Sequence, residues 1–161
     1  MSRARIAAVA AVPGVALAAG TAVAAPPGLT TIRVVSVSMQ FVEHDTPPKG
    51  ASKGDSVVYR DRLVNAVRQF GRKQGAVVGS DRGTMTYTSR SSARFDGVAT
   101  LPGGTLRLTG PVHALANGGL VIPIDGGSGR YKHAAGTLTV GPGKDRALNT
   151  YEITLAALPV A

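Results

Sequence analysis

Residues 124–136 read IDGGSGRYKHAAG, with glycine at 126, 127, 129 and 136 and basic side chains at Arg130 and Lys132. Such a stretch is either a loop that cradles phosphate or a tight reversal between strands. A phosphate loop runs G-x-x-x-x-G-K-[ST] and opens a helix whose N-terminus faces the anion. Here Lys132 is followed by His133, and the chain continues as HAAGTLTV, an alternating β pattern rather than a helix. A serine elbow, G-x-S-x-G, fails as well, because Arg130 stands where its second glycine belongs. The stretch therefore predicts a chain reversal. Gly126, Gly127, Gly129 and Gly136 are its structural glycines, and Tyr131 packs back on the core.

The same period of two runs outward in both directions. In TIRVVSVSMQFVEHD, Val35, Val37, Met39 and Phe41 alternate with Ser36, Ser38 and Gln40. In GDSVVYRDRLVN, Val57, Tyr59, Asp61 and Leu63 share a side. Met85 and Tyr87 continue the pattern, followed by Phe95 and Leu101, Leu106 and Leu108, then Leu120, Ile122 and Ile124. GTLTV and NTYEITLAAL complete about eight strands, separated by glycine, proline and asparagine turns. No window of helical length shows the 3.6 period; LVNAVRQFG comes nearest and is short. Residues 29–161 read as one all-β domain. Eight half-buried strands avoid exposed edges by closing into a barrel or by pairing as two sheets.

Composition narrows the chemistry. The chain has 161 residues, no cysteine and a formal charge of +9. Thiol catalysis and cysteine-based metal sites are excluded. The basic residues are scattered singly, and aromatic residues are only 4% of the chain, too few for a base-stacking platform. A nucleic-acid partner is not expected. His44, His113 and His133 have no metal-ligand spacing, so no metal is expected. Residues 1–25 carry Arg3 and Arg5, an uncharged Ala/Val-rich stretch, and Ala22-Val23-Ala24 at the end. That is the three-part pattern of a secretory signal, which predicts cleavage, a secreted protein and no membrane attachment after removal.

The glycine stretch resembles the G-G-[ST]-G-x-[FY]-x-x-A-x-G segment of plant allene oxide cyclases and dirigent proteins. FVEHD is similar to the acidic end of their first strand, and GDSVVYRDRLVN to their G-D-x-V-x-[FY]-x-N-x-L strand. VVGSDRGTMT and LRLTGP follow in the family's order. On these motifs the chain is identified as a member of the allene oxide cyclase barrel/dirigent-like superfamily. The resemblance implies an eight-stranded antiparallel barrel with a hydrophobic cavity, no cofactor, and a homotrimer. It also implies that the cavity holds a small hydrophobic ligand and steers its isomerisation or cyclisation. A non-catalytic carrier barrel is the alternative.

Carried over by position, the family's catalytic glutamate falls on Glu43. Its two asparagines fall on Asp45 and Asp61, its cavity cysteine on Met85 and its cavity tyrosine on Val112. Parity places Glu43 on the face of Met39 and Phe41, and Asp61 on that of Tyr59. Two carboxylates at the ends of apolar faces suit general acid/base work, since desolvation or mutual repulsion raises the pKa of one of them. Glu43 and Asp61 are thus the catalytic candidates. Met39, Phe41, Asp45, Tyr59, Met85, Tyr87 and Val112 are the expected cavity lining.

Overall fold

The structure is a computed structural model and describes residues 29–142 and 148–156. The expected export signal, residues 1–25, lies outside them. The strands are β1 (Leu29–His44), β2 (Ser56–Asn65), β3 (Val77–Tyr87), β4 (Ala93–Leu101), β5 (Gly104–Ala114), β6 (Leu120–Gly129), β7 (Gly136–Pro142) and β8 (Leu148–Ala156). They follow one another around a closed barrel, every neighbouring pair antiparallel, and β8 pairs with β1 to seal it. Closure leaves no sheet edge along the joined region, which answers the aggregation problem that alternating strands pose. No helix occurs among the described residues.

A barrel of eight strands is just wide enough for its own side chains or one small ligand. Leu63, Leu101, Leu106, Leu108, Ile122, Leu138, Ile153 and Leu155 fill one end. Each such side chain contributes roughly 1.5–3 kcal/mol by leaving water. Asn65 latches that end from below. Its amide donates to the carbonyls of Gln69, Arg72 and Lys73 at 3.0, 3.2 and 3.3 Å, so the turn after β2 folds under the barrel. That turn is where LVNAVRQFG breaks off as a strand and does not become a helix.

The glycine stretch enters the same end. β6 stops at Gly129, whose φ of 58° sits in the left-handed region. Three residues later the chain has reversed toward β7. Tyr131, 1% exposed, plugs the core, and its hydroxyl donates to the Pro102 carbonyl at 3.2 Å.

The inward face of β1 differs from the expected one. Ile32, Val34 and Ser36 are buried inside, whereas Val35 and Val37 are half-buried on the outer side. The sequence is apolar on both faces from Ile32 to Val37, so alternation alone did not separate them. Register does: Val34 pairs with Tyr151, and Ser36 with Leu63. A β-bulge between Ser38 and Gln40 then inverts the parity. Beyond it Phe41 pairs with Tyr59 and Glu43 with Val57, so both return to the inward side.

At this second end β1 outruns its neighbour. Its pairing with β8 ends at Val37, while its pairing with β2 continues to His44. The overhang is followed by a loop knotted around Asp55. That carboxylate accepts from the Thr46 amide and hydroxyl at 2.8 and 2.6 Å, and from the Ser52 amide and hydroxyl at 2.7 and 3.1 Å. Those hydrogen bonds, the Thr46 hydroxyl foremost, pull its pKa down to about 2. The loop is thereby held beside the overhang at any pH above that value.

Candidate functional site

Between the packed end and the overhang lies a layer of polar side chains. Asp61 on β2 and Asp81 on β3 are direct cross-strand partners, and both point inward. They are 5% and 1% exposed. Ser36 on β1 hydrogen-bonds Asp61 Oδ2, and the Tyr151 hydroxyl on β8 donates to Asp81 Oδ2 at 3.1 Å. The other oxygen of each carboxylate, Oδ1, is buried with no hydrogen-bond partner. Above them Tyr59 stacks on Phe95, ring centroids 5.6 Å apart. Five strands, β1, β2, β3, β4 and β8, thus supply one cluster from residues far apart in sequence.

No cation offsets these acids among the described residues. Arg60, Arg62 and Arg82 flank them in sequence but alternate to the outside and are exposed. The two ion pairs among the described residues, Arg33 with Glu152 and Arg107 with Asp125, are on the outer surface. Burial therefore acts on the acids with no positive charge against it. It pushes Asp81 up to about 7, and the charge of Asp61 pushes in the same direction. Asp61 is raised by burial too, with the Ser36 and Ser38 hydroxyls and the Met39 amide opposing the rise. Tyr59 is raised by burial first, then by Tyr151 and the two carboxyls, and Tyr151 by burial and the carboxyls, so both phenols stay protonated. Two carboxyls held side by side resist double ionisation and share a proton near neutral pH.

The other expected site residues are distributed as follows. Tyr59, Met85 and Val112 are half-buried and pack on the core from the open side. Tyr87, also half-buried, lies at the end of β3. Met39 and Phe41, expected inside the cavity, are 61% and 59% exposed. Glu43 and Asp45 are exposed as well, Asp45 just past the end of β1. Their exposure has a physical cause. Met39 is the bulged residue, and the overhang carries Phe41 and Glu43 beyond the last turn of closed wall. Glu43 and Asp61 are therefore not brought together; Asp61 meets Asp81 instead.

Asp81, Ser36 and Tyr151 were missed in the sequence. A signal existed for two of them: Asp81 has the parity of Met85, and Tyr151 that of Ile153 and Leu155. Beside the open end there is also an outer cleft of about 510 Å3, lined by Thr88, Arg94, Val112 and His113 among others. Of the expected lining, Val112 alone reaches it.

This geometry can be set beside known proteins. No curated protein sequence matches the chain. Among solved structures, a pyocyanin demethylase is 25% identical, covering 79% of this chain and 100% of its own, with a TM-score of 0.63. A pterocarpan synthase dirigent protein is 17% identical over 79% of this chain and 83% of its own, with a TM-score of 0.60. The Diels-Alderase AbmU from Streptomyces koyangensis is 21% identical over 81% of this chain and 65% of its own, with a TM-score of 0.65. The latter two likenesses concern the fold. The model of the allene oxide cyclase barrel like domain matches residues 35–155, from the middle of β1 nearly to the end of β8. With its closed barrel and its glycine reversal in place, the chain belongs to the allene oxide cyclase barrel like domain family, within the allene oxide cyclase/dirigent-like superfamily.

Proposed function

We propose that this barrel takes up a small, largely apolar molecule through its open end and steers its isomerisation or cyclisation, with Asp61 and Asp81 as the acid/base pair. The observation that carries the reading is the pair itself: two buried carboxyls in register, without a cation, each with a free Oδ1. The ionised member accepts a proton from the bound molecule, and the protonated member returns one at another atom. A reaction written this way balances without an oxidant or reductant. Tyr59 and Phe95 supply a flat wall that restricts the ligand's orientation, and Tyr151 and Ser36 keep the carboxyls in place. The likeness to a pyocyanin demethylase supports a small-molecule reaction in such a barrel.

The test combines turnover and binding. Pyocyanin and a panel of conjugated apolar molecules are incubated with the protein, and products are followed by chromatography. Asp61→Asn is expected to lower turnover about 10²- to 10⁴-fold, the usual weight of one general acid/base, while calorimetric affinity changes much less. Equal turnover by the two proteins would remove Asp61 from the chemistry. Binding across the panel with no conversion by wild type would make the barrel a carrier.

The proposal also places the reaction outside the cell, on the strength of the basic, apolar and Ala-x-Ala segments before residue 26. Protein from culture medium is expected to begin near Ala25 or Pro26 on N-terminal sequencing. Full-length protein confined to cells would refute export.

A further inference from the structure

Resting on the Asp61–Asp81 reading above, we propose that the ligand is a small organic cation with a flat apolar body, its positive nitrogen seated against the two free Oδ1 atoms. Both carboxyls are more than nine-tenths buried, and each leaves that oxygen without any partner. An ionised carboxylate in such surroundings is costly unless a positive charge or donor reaches it. The protein supplies no positive charge, and its donors, the Ser36 and Tyr151 hydroxyls, reach only the Oδ2 atoms. The groups facing the pair are Ser36 and Ser38 from β1, Tyr59 from β2 and Tyr151 from β8, all neutral; the register row continues through Ala99 on β4 and Leu106 on β5, which do not titrate. A ligand cation would complete what the fold leaves open.

The distribution of charge points the same way. The chain carries +9, yet Arg60, Arg62, Arg82 and Arg107 are on the outer face of the wall. The acids Glu43 and Asp45 stand at the overhang beside Lys49 and Lys53 of the following loop, so the unbalanced negative charge is at the centre, on Asp61 and Asp81. Such a segregated field draws cations in and repels anions, and the low dielectric of the barrel strengthens both effects. The Tyr59–Phe95 stack and the exposed ring of Phe41, on the inward side of the overhang, offer π faces to a positive charge. A carboxylate-bearing ligand would meet none of these favourably.

Three probes of similar shape separate the possibilities: N-methylquinolinium (cationic), N-methylquinolone (neutral) and naphthoate (anionic). Affinities are measured by calorimetry on the wild type at pH 8 and pH 5, and on Asp61→Asn and Asp81→Asn at pH 8. The cation is expected to bind at least about 10-fold more tightly than the neutral probe at pH 8. Its advantage should shrink at pH 5, where the pair holds more protons, and disappear in either variant. The wild-type pH comparison stands even if a variant fails to fold. Equal binding of all three probes, or preference for naphthoate, would overturn the cationic class while leaving a ligand-binding barrel. A cation preference that survives both substitutions would overturn the seat at Asp61 and Asp81. Absence of binding by every probe would overturn the inference, and joined with no turnover of pyocyanin or the panel it would take the functional reading down too.

Discussion

Asp81→Asn is expected to make the protein more stable at pH 8 and to deprive it of most of its activity. In the unfolded chain this carboxyl ionises near 3.8, and in the barrel near 7. Well below pH 3.8 it is protonated in both states and contributes nothing to the pH dependence. Between those values ionisation favours the unfolded chain, because only there is the charge hydrated. Stability therefore falls as pH rises through this window and levels off above the folded value, at a cost of about 4 kcal/mol. From pH 5 to pH 8 the wild type should lose about 2–3 kcal/mol through this group. Asparagine has the same shape without the charge, and its amide can donate to the free Asp61 Oδ1. Urea unfolding of both proteins at the two pH values reads the difference. The variant should be the more stable at pH 8 by a few kcal/mol and show a flatter profile, with turnover lower by about 10²- to 10⁴-fold. A wild type that gains stability from pH 5 to pH 8 relative to the variant would show that Asp81 is not the buried acid described above.

Gly136→Ala is expected to be among the most damaging single substitutions in the molecule. A Cβ at this position would lie 1.9 Å from the Thr154 carbonyl oxygen and 3.0 Å from its carbon. Neither is the end of a flexible side chain. Thr154 is paired with Thr137 in β7 and with Thr31 in β1, so retreat of its backbone would pull on two ladders at once. The cost should exceed about 4 kcal/mol, the range reserved for changes that break packing outright. For a domain of this size that is a fall in Tm of roughly 10–20 °C. Gly118→Ala is the control. Its φ of 80° is also positive, but nothing lies within 4 Å, so only local strain of about 1–2 kcal/mol is at stake. Thermal unfolding followed by circular dichroism compares the three proteins. If Gly136→Ala melts with the wild type, β7 does not approach β8 as closely as the barrel requires.

The glycine segment shows how far local chemistry reaches. Gly129, Tyr131 and Gly136 are close in sequence, and the steric demands of the reversal act within that span, so the turn was legible. Gly126 and Gly127, expected in the reversal, lie inside β6 instead, because backbone pairing with β5 carries the strand on to Gly129. The same holds for β2, where Val57, Tyr59, Asp61 and Leu63 alternate without interruption, and Asp61 was read correctly as inward. β1 was harder. Its two faces are both apolar from Ile32 to Val37, and a single bulged residue at Met39 inverts everything after it. A bulge leaves little trace in a one-dimensional pattern, because it is set by the fit against β2. Glu43 was therefore given an enclosed place that the overhang does not provide.

Sequence alone determined the class of the fold, because alternation with a period of two and turn residues between runs are properties of contiguous residues. It also determined that Asp61 lies inside. The partner of Asp61 was decided only by tertiary structure. Asp81 is 20 residues away, Tyr151 is 90 and Ser36 is 25, and what brings them together is hydrogen-bond register around a closed ring. Register is the sum of every bulge and turn between two strands, so a shift of one residue anywhere in β1–β3 would turn one of these carboxyls outward to water, where it would be an ordinary surface acid.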